Sequence, residues 1–172
     1  IYYYPNGPYS NLFSSLSVDA SGNLWAASGT DVTGVGFYKY DQTGWENFNV
    51  ASNPELLVNS FHKVYSAPDN TVYAMTWGRG FVTVENGSVI TTYYKNTPML
   101  GIRKDPDFLA ITGISRDSQG NTWILSYDGA DRKILAALTP DSTWYLFDNP
   151  SYSGLEKNYG LIVDQYNTKW FY

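Results

Sequence analysis

A polar turn leading into an aromatic residue recurs four times along the 172 residues, and no other feature restricts the fold as strongly. The copies are Val18-Asp19-Ala20-Ser21-Gly22-Asn23-Leu24-Trp25, Ser66-Ala67-Pro68-Asp69-Asn70-Thr71-Val72-Tyr73, Arg116-Asp117-Ser118-Gln119-Gly120-Asn121-Thr122-Trp123 and Val163-Asp164-Gln165-Tyr166-Asn167-Thr168-Lys169-Trp170. Their aromatics lie 48, 50 and 47 residues apart. Asp stands six residues before the aromatic in three copies, and Gly or Asn stands three before it in all four. A tight turn closing onto a strand needs a left-handed residue, which Gly and Asn tolerate best. The Asp can accept from the turn's own amides, as in an Asx-turn.

Each unit continues in one order. A short apolar strand precedes the turn (13–18, 61–65, 111–115, 159–163) and a second starts near the aromatic (24–27, 72–77, 122–127). A third follows (36–40, 81–85, 134–138), then a turn, then a fourth (45–50, 89–94, 144–147). Four short strands per 40–50 residues is the pattern of a β-propeller blade. All eight prolines fall in connections, in keeping with their missing N–H. No segment sustains a 3.6-residue period, so essentially no helix is expected. A β-sandwich also strings short strands together, but it does not demand a repeating turn and aromatic at near-constant spacing.

The expected fold is therefore all-β, a β-propeller of about three and a half four-stranded antiparallel blades. Residues 1–10 read as the last strand of a preceding blade, 11–50, 59–95 and 108–149 as blades, and 158–172 as the first strands of a truncated one. Both ends look cut, so an open fragment of a six- to eight-bladed disc is expected. Pairing of Tyr2-Tyr4 with Trp170-Tyr172 would instead build most of a fourth blade.

Composition narrows function mainly by exclusion. Eleven basic against sixteen acidic residues offer no basic stripe for nucleic acid. The absence of cysteine removes disulfide scaffolds, zinc ribbons and thiol nucleophiles. A hydrophobic content of 43% argues against disorder, and no apolar run is long enough for a membrane-spanning helix. Aromatics reach 17%, most simply as packing between blades.

The motif Asp-x-x-Gly-Asn-x-Trp, followed by Gly36-Phe37-Tyr38-Lys39-Tyr40-Asp41 and Trp45-x-x-Phe48, resembles the two-component regulator propeller repeat. The second copy departs, with Ala67 for the Asp and Tyr73 for the Trp. The third replaces the Tyr-Asp strand end by Leu138-Thr139. The resemblance implies one of two extracytoplasmic settings: oligosaccharide-binding periplasmic sensors of hybrid two-component systems, or PorZ-like propeller proteins of type IX secretion, linked to anionic lipopolysaccharide. The phrase from Gly36 to Trp45 is closer to the second. The localisation implied is periplasm, outer-membrane surface or secreted, and no catalytic motif comes with either setting.

In a propeller the second-to-third and fourth-to-first connections share one face. Here they are the long ones: 28–35, 51–60, 78–80, 95–108, 127–133 and 149–158. Loops carry function more often than scaffold strands. The candidate ligand-binding residues on that face are Trp77, Arg79, Arg103, Lys104, Tyr127, Asp128, Asp131 and Arg132, against the plainer reading of solvated loop residues. Partners that suit aromatics beside charges are an oligosaccharide or lipopolysaccharide, or a protein. On the innermost strands Ser15, Gly113 and Gly160 are small, as a crowded hub requires. Lys63 is the exception, either directed into a central channel beside His62 or snorkelling to solvent.

Other chemistry finds little support. A single histidine, His62, rules out a His-based metal cluster, and no G-x-S-x-G elbow accompanies it. Residues 19–23 lack the order of a calcium loop, and 127–131 offer only a sparse version of one. Asn86-Gly87-Ser88 is a glycosylation sequon, but Asn-Gly there is explained by a type I′ hairpin turn. No cofactor and no metal are expected. The leading expectation is an extracytoplasmic binding or scaffold module. Its rivals are a propeller enzyme of the streptogramin-lyase type, which would have to use His62, and a purely architectural propeller segment.

Overall fold

The computed structural model describes residues 6–30, 33–148 and 157–172, with the side chain of Asp131 excepted. Positions 1–5 of the strand expected over 1–10, with the pairing of Tyr2-Tyr4, lie outside the described residues, as do most of loop 149–158 and residues 31–32 of loop 28–35; positions 6–10 form no strand.

The fold is all-β and built of β-propeller blades. The strands are β1 (Ser15–Val18), β2 (Leu24–Ala27), β3 (Phe37–Tyr40), β4 (Trp45–Phe48), β5 (Phe61–Ser66), β6 (Val72–Gly78), β7 (Phe81–Glu85) and β8 (Ser88–Tyr93). They continue with β9 (Leu109–Arg116), β10 (Thr122–Ser126), β11 (Leu135–Leu138), β12 (Trp144–Phe147), β13 (Leu161–Val163) and β14 (Lys169–Phe171). Strands β1 to β4 form one antiparallel sheet in sequence order. The next two blades share a sheet, because β6 also pairs with β9 through Trp77↔Ala110 and Gly78↔Leu109. β13 and β14 form a two-stranded sheet. Among the described residues the named helical element is the 3-10 turn Ala130–Arg132.

The recurring turn explains why these segments fold alike. The residue three before each aromatic is left-handed in every copy: Gly22 (φ 82°), Asn70 (66°), Gly120 (83°) and Asn167 (62°). The Asp does more than close an Asx-turn. Asp19 Oδ1 accepts from the amides of Ser21 (3.0 Å) and Asn23 (2.9 Å), while Oδ2 accepts from Asn23 Nδ2 (2.9 Å) and Trp25 Nε1 (2.9 Å). Asp117 repeats the pattern with Gln119, Asn121 and Trp123, its indole bond again 2.9 Å. Asp164 holds Tyr166, Thr168 and Trp170. In the second copy both partners are replaced together. Ala67 offers no carboxylate, Tyr73 no indole, and Asp69 caps the turn at Thr71 instead.

The chain divides into two compact units, Ile1–Ala74 with Val82–Thr92, and Met75–Phe81 with Tyr93–Tyr172. In the first, Trp25 packs on Phe37 and Phe48 of its own blade, with centroids 6.4 and 5.7 Å away. Phe37 stacks on Phe48 at 4.7 Å and meets Phe61 of the next blade edge-on at 4.8 Å. The motif aromatic Trp25 thus serves its own blade first, and in this unit Phe37 reaches the next blade. Asn6 runs along β4, its amide pairing with the backbone of Trp45. Neighbouring innermost strands meet through serines. Ser15 Oγ accepts from the amide of Val64 (3.3 Å) and Ser17 Oγ from that of Ser66 (2.9 Å). In the second unit Ser115, at the repeat position of Ser17, accepts from Val163 at 3.1 Å. There Gly113 also permits close approach, since a Cβ would fall 2.6 Å from Leu161. Lys63 is half-buried, and burial lowers its pKa.

Replacing Asp117 by Ala strands the Trp123 indole N–H and three turn donors. Equilibrium denaturation should report a loss of about 1–3 kcal/mol, the usual cost of unsatisfied groups. Ala67→Asp alone should gain little, because Tyr73 supplies no indole. Acid provides a second test. Burial pulls Asp19 and Asp117 upward, but their hydrogen bonds from Trp, Asn and the backbone outweigh it and hold both below 3.8. Asp164 is lowered chiefly by Trp170. A carboxylate lowered in the folded state stabilises fully above its unfolded value and loses that contribution as pH falls through the folded one. The contribution of these carboxylates should therefore hold from neutral down to about pH 4 and fall below it, with a shallower limb there in Asp117→Asn; buried His62, lowered from 6.5 to about 4, adds an earlier decline between those two values.

Candidate functional site

Seven of the eight residues singled out above gather, by segment, into three connected loops of the second unit, and Trp77 lies on β6 just before the first. The loop after β6 is fixed locally: Thr76 Oγ1 donates to Gly80 O and accepts from the amide of Arg79, both at 2.8 Å. Gly80 (φ 72°) is required, because a Cβ would fall on the carbonyl of Tyr93. Loop 95–108 folds on itself through Ile102 N to Phe108 O and Phe108 N to Asp105 O, each 3.0 Å. Loop 127–133 joins it by a bridge between Ile102 and Gly129 and by Ala130 N to Gly101 O at 3.0 Å.

An aromatic ladder runs across these loops. Trp77 meets Phe108 (6.1 Å) and Tyr127 (5.0 Å) edge-on, and Tyr127 meets Tyr159 at 5.5 Å. The Tyr127 and Tyr159 hydroxyls stand 3.5 Å apart, at the outer limit of a hydrogen bond. That contact first, then burial and the charges of Tyr159 and Asp128, push the Tyr127 phenol up to about 12. Beside the ladder Asp128, 6% exposed, takes two cations. Arg103 approaches Oδ1 at 3.3 Å and Lys157 approaches Oδ2 at 2.8 Å, its ammonium also 4.8 Å from the Tyr127 ring centre. With both oxygens held by cations, Asp128 is a poor calcium ligand.

The remaining candidates divide differently. Arg79 turns to Tyr94, donating to its hydroxyl at 2.9 Å and to the carbonyl of Asp107, so it anchors loop 95–108. Tyr94 donates to the same carbonyl at 2.6 Å, and Lys95 pairs with Asp107 at 3.0 Å. Lys104 and Arg132 are exposed. Asp131 lies on the 3-10 turn, its side chain outside the described residues. Phe108, Lys157 and Tyr159 were not anticipated. His62 is 9% exposed on β5, and burial together with the charge of Lys63 lowers it to about 4.

No family model and no curated protein matches the chain. Solved structures do. PorZ, a surface component of the type-IX secretion system of Porphyromonas gingivalis, is 26% identical with a TM-score of 0.78 over 99% of this chain. A streptogramin B lyase is 17% identical with a TM-score of 0.66 over 98% of the chain. YCF48 bound to a D1 peptide is 13% identical with a TM-score of 0.64 over 92%. The chain spans 24% of the PorZ structure, 49% of the lyase and 47% of YCF48. The resemblance to propeller repeats seen in the motifs thus has a structural counterpart in PorZ, while the two more distant likenesses speak for the fold alone. One of them is an enzyme and the other holds a peptide, so the fold does not choose between chemistry and recognition.

Asp128→Asn keeps the shape of the side chain and removes its charge. Because Arg103 and Lys157 can resolvate, the expected loss is about 1–2 kcal/mol in chemical denaturation, less than for a fully buried pair. Hydrogen exchange at the Ala130 amide should accelerate as loops 95–108 and 127–133 loosen. An unchanged rate would mean that backbone bonds alone hold them.

Proposed function

We propose that this chain is part of a ligand-recognising β-propeller working outside the cytoplasm, and that the loops of its second unit bind an acidic oligosaccharide. The observation that carries this reading is the ladder of Trp77, Tyr127 and Tyr159 alongside the Arg103–Asp128–Lys157 network. Aromatic rings offer flat apolar faces to sugar C–H groups, and guanidinium and ammonium groups suit carboxylates. Charge distribution supports it. Loops 78–80, 95–108, 127–133 and 149–158 contain Arg79, Lys95, Arg103, Lys104, Arg132, Lys133 and Lys157, seven of the eleven basic residues, but only five of the sixteen acidic ones. A chain of net charge -5 thus keeps its positive side chains where a ligand would dock. The likeness of 99% of this chain to part of a surface component supports the extracytoplasmic setting.

The test is calorimetric titration with oligogalacturonate and, as the neutral control, maltohexaose. Oligogalacturonate should bind with an affinity that declines as salt rises, and Trp77→Ala and Arg103→Ala should each weaken it about tenfold or more, or about 1.4 kcal/mol. Equal affinity for both sugars would overturn the acidic preference. Binding of neither, with no protein partner recovered by the chain, would leave the architectural role.

A further inference from the structure

A cleft lies far from those loops in sequence, on the short turns of the first unit. It has a volume of about 150 Å³, and its lining includes Ser21, Asn23, Lys39, Asn70 and Asn86 around the edge of Trp25. At about 30 Å³ per water it has room for roughly five waters, the scale of one small polar molecule rather than of a chain.

Its hydrogen-bonding groups are largely unspent. The Lys39 ammonium stands 5.8 Å from the Trp25 ring centre, and among the described residues no carboxylate lies within ion-pair distance of it. No hydrogen bond occupies the side chains of Ser21, Asn70 or Asn86 among the described residues, and Asn23 spends only its amide nitrogen, on Asp19. Asn70 (φ 66°) and Asn86 (φ 50°) sit at turn tips, where the left-handed backbone fixes where each side chain starts.

Charge selects the ligand class. The Asp19 carboxylate borders the cleft, with its oxygens already taken by four donors. Glu46 reaches the same edge as Lys39: both would touch a Cβ placed on Gly87, at 3.9 and 3.8 Å. One ammonium among two carboxylates gives no positive field for an anion, and the ammonium itself repels a cation. Several donors and acceptors converge on a space for one small molecule beside an aromatic edge. We infer that this cleft binds a single neutral sugar residue, at a site separate from the loop face and independent of the function proposed for it.

The experiment is residue-resolved 15N–1H NMR of the whole chain, titrated with glucose, galactose, mannose and N-acetylglucosamine at millimolar levels, with galacturonate and inorganic phosphate as anionic controls. At least one neutral sugar should shift the resonances of Ser21, Asn23, Asn70, Asn86 and the Trp25 indole in a saturable way. Asn70→Gly with Asn86→Gly keeps the left-handed turns while deleting both amides, and Lys39→Met keeps the stem over Trp25. Each variant should weaken binding about tenfold or more with the unfolding midpoint unchanged. The inference is overturned if none of the four sugars gives a saturable shift, if the anions shift these residues and the sugars do not, or if the variants bind as well as the parent. A shift confined to the second-unit loops would overturn this site while leaving the other intact.

Discussion

An indole N–H held against a turn finds its acceptor in a carboxylate six residues upstream in three of the four repeats, at buried Trp25, half-buried Trp123 and exposed Trp170 alike. This bond connects the levels of the structure. It closes the turn through the same carboxylate that holds the turn's amides, and the closed turn sets the register of the first strand pair, as in Val18↔Leu24. It also holds the ring so that its face meets the third and fourth strands of its own blade, Phe37 and Phe48 in one case and Phe147 in another. The second copy has neither half of the pair. There Tyr73 stacks with Tyr65 on the adjacent strand at 6.0 Å, so ring packing replaces the clamp.

What could be read in the sequence was what acts locally. The Gly or Asn before each aromatic reports backbone sterics within a few residues, and all four positions are left-handed in the structure. Asn86-Gly87 reads as a type I′ turn for the same reason, and both residues have positive φ. The indole half of the clamp was present in the constant six-residue spacing but was assigned to turn amides alone. The inner-strand serines were harder to see. Ser17 and Ser115 share a repeat position, yet their partners lie 49 and 48 residues on, where no short-range pattern points.

The loop face was partly accessible. Trp77, Tyr127, Arg103 and Asp128 come together because propeller connectivity brings their loops to one end of the blades. Lys157 and Tyr159 were missed because a charge pair 29 residues apart and a ring contact 32 apart leave no trace in composition. Arg79 could not be distinguished from Arg103 by type, and only the position of Tyr94 separates an anchoring guanidinium from an accessible one. The turn-side cleft was invisible for a related reason. Each of its turns was explained completely by backbone geometry, so the unused amides projecting from them drew no attention.

Asp128 ties together three separate stretches of chain, and backbone bridges at Ile102 and Ala130 tie two of them again. A loop surface held in that way has little disorder to lose if a ligand lands on it. Association would then be governed by encounter and orientation rather than by a slow search among loop conformations. Differences between ligands would appear mainly in how long each one stays.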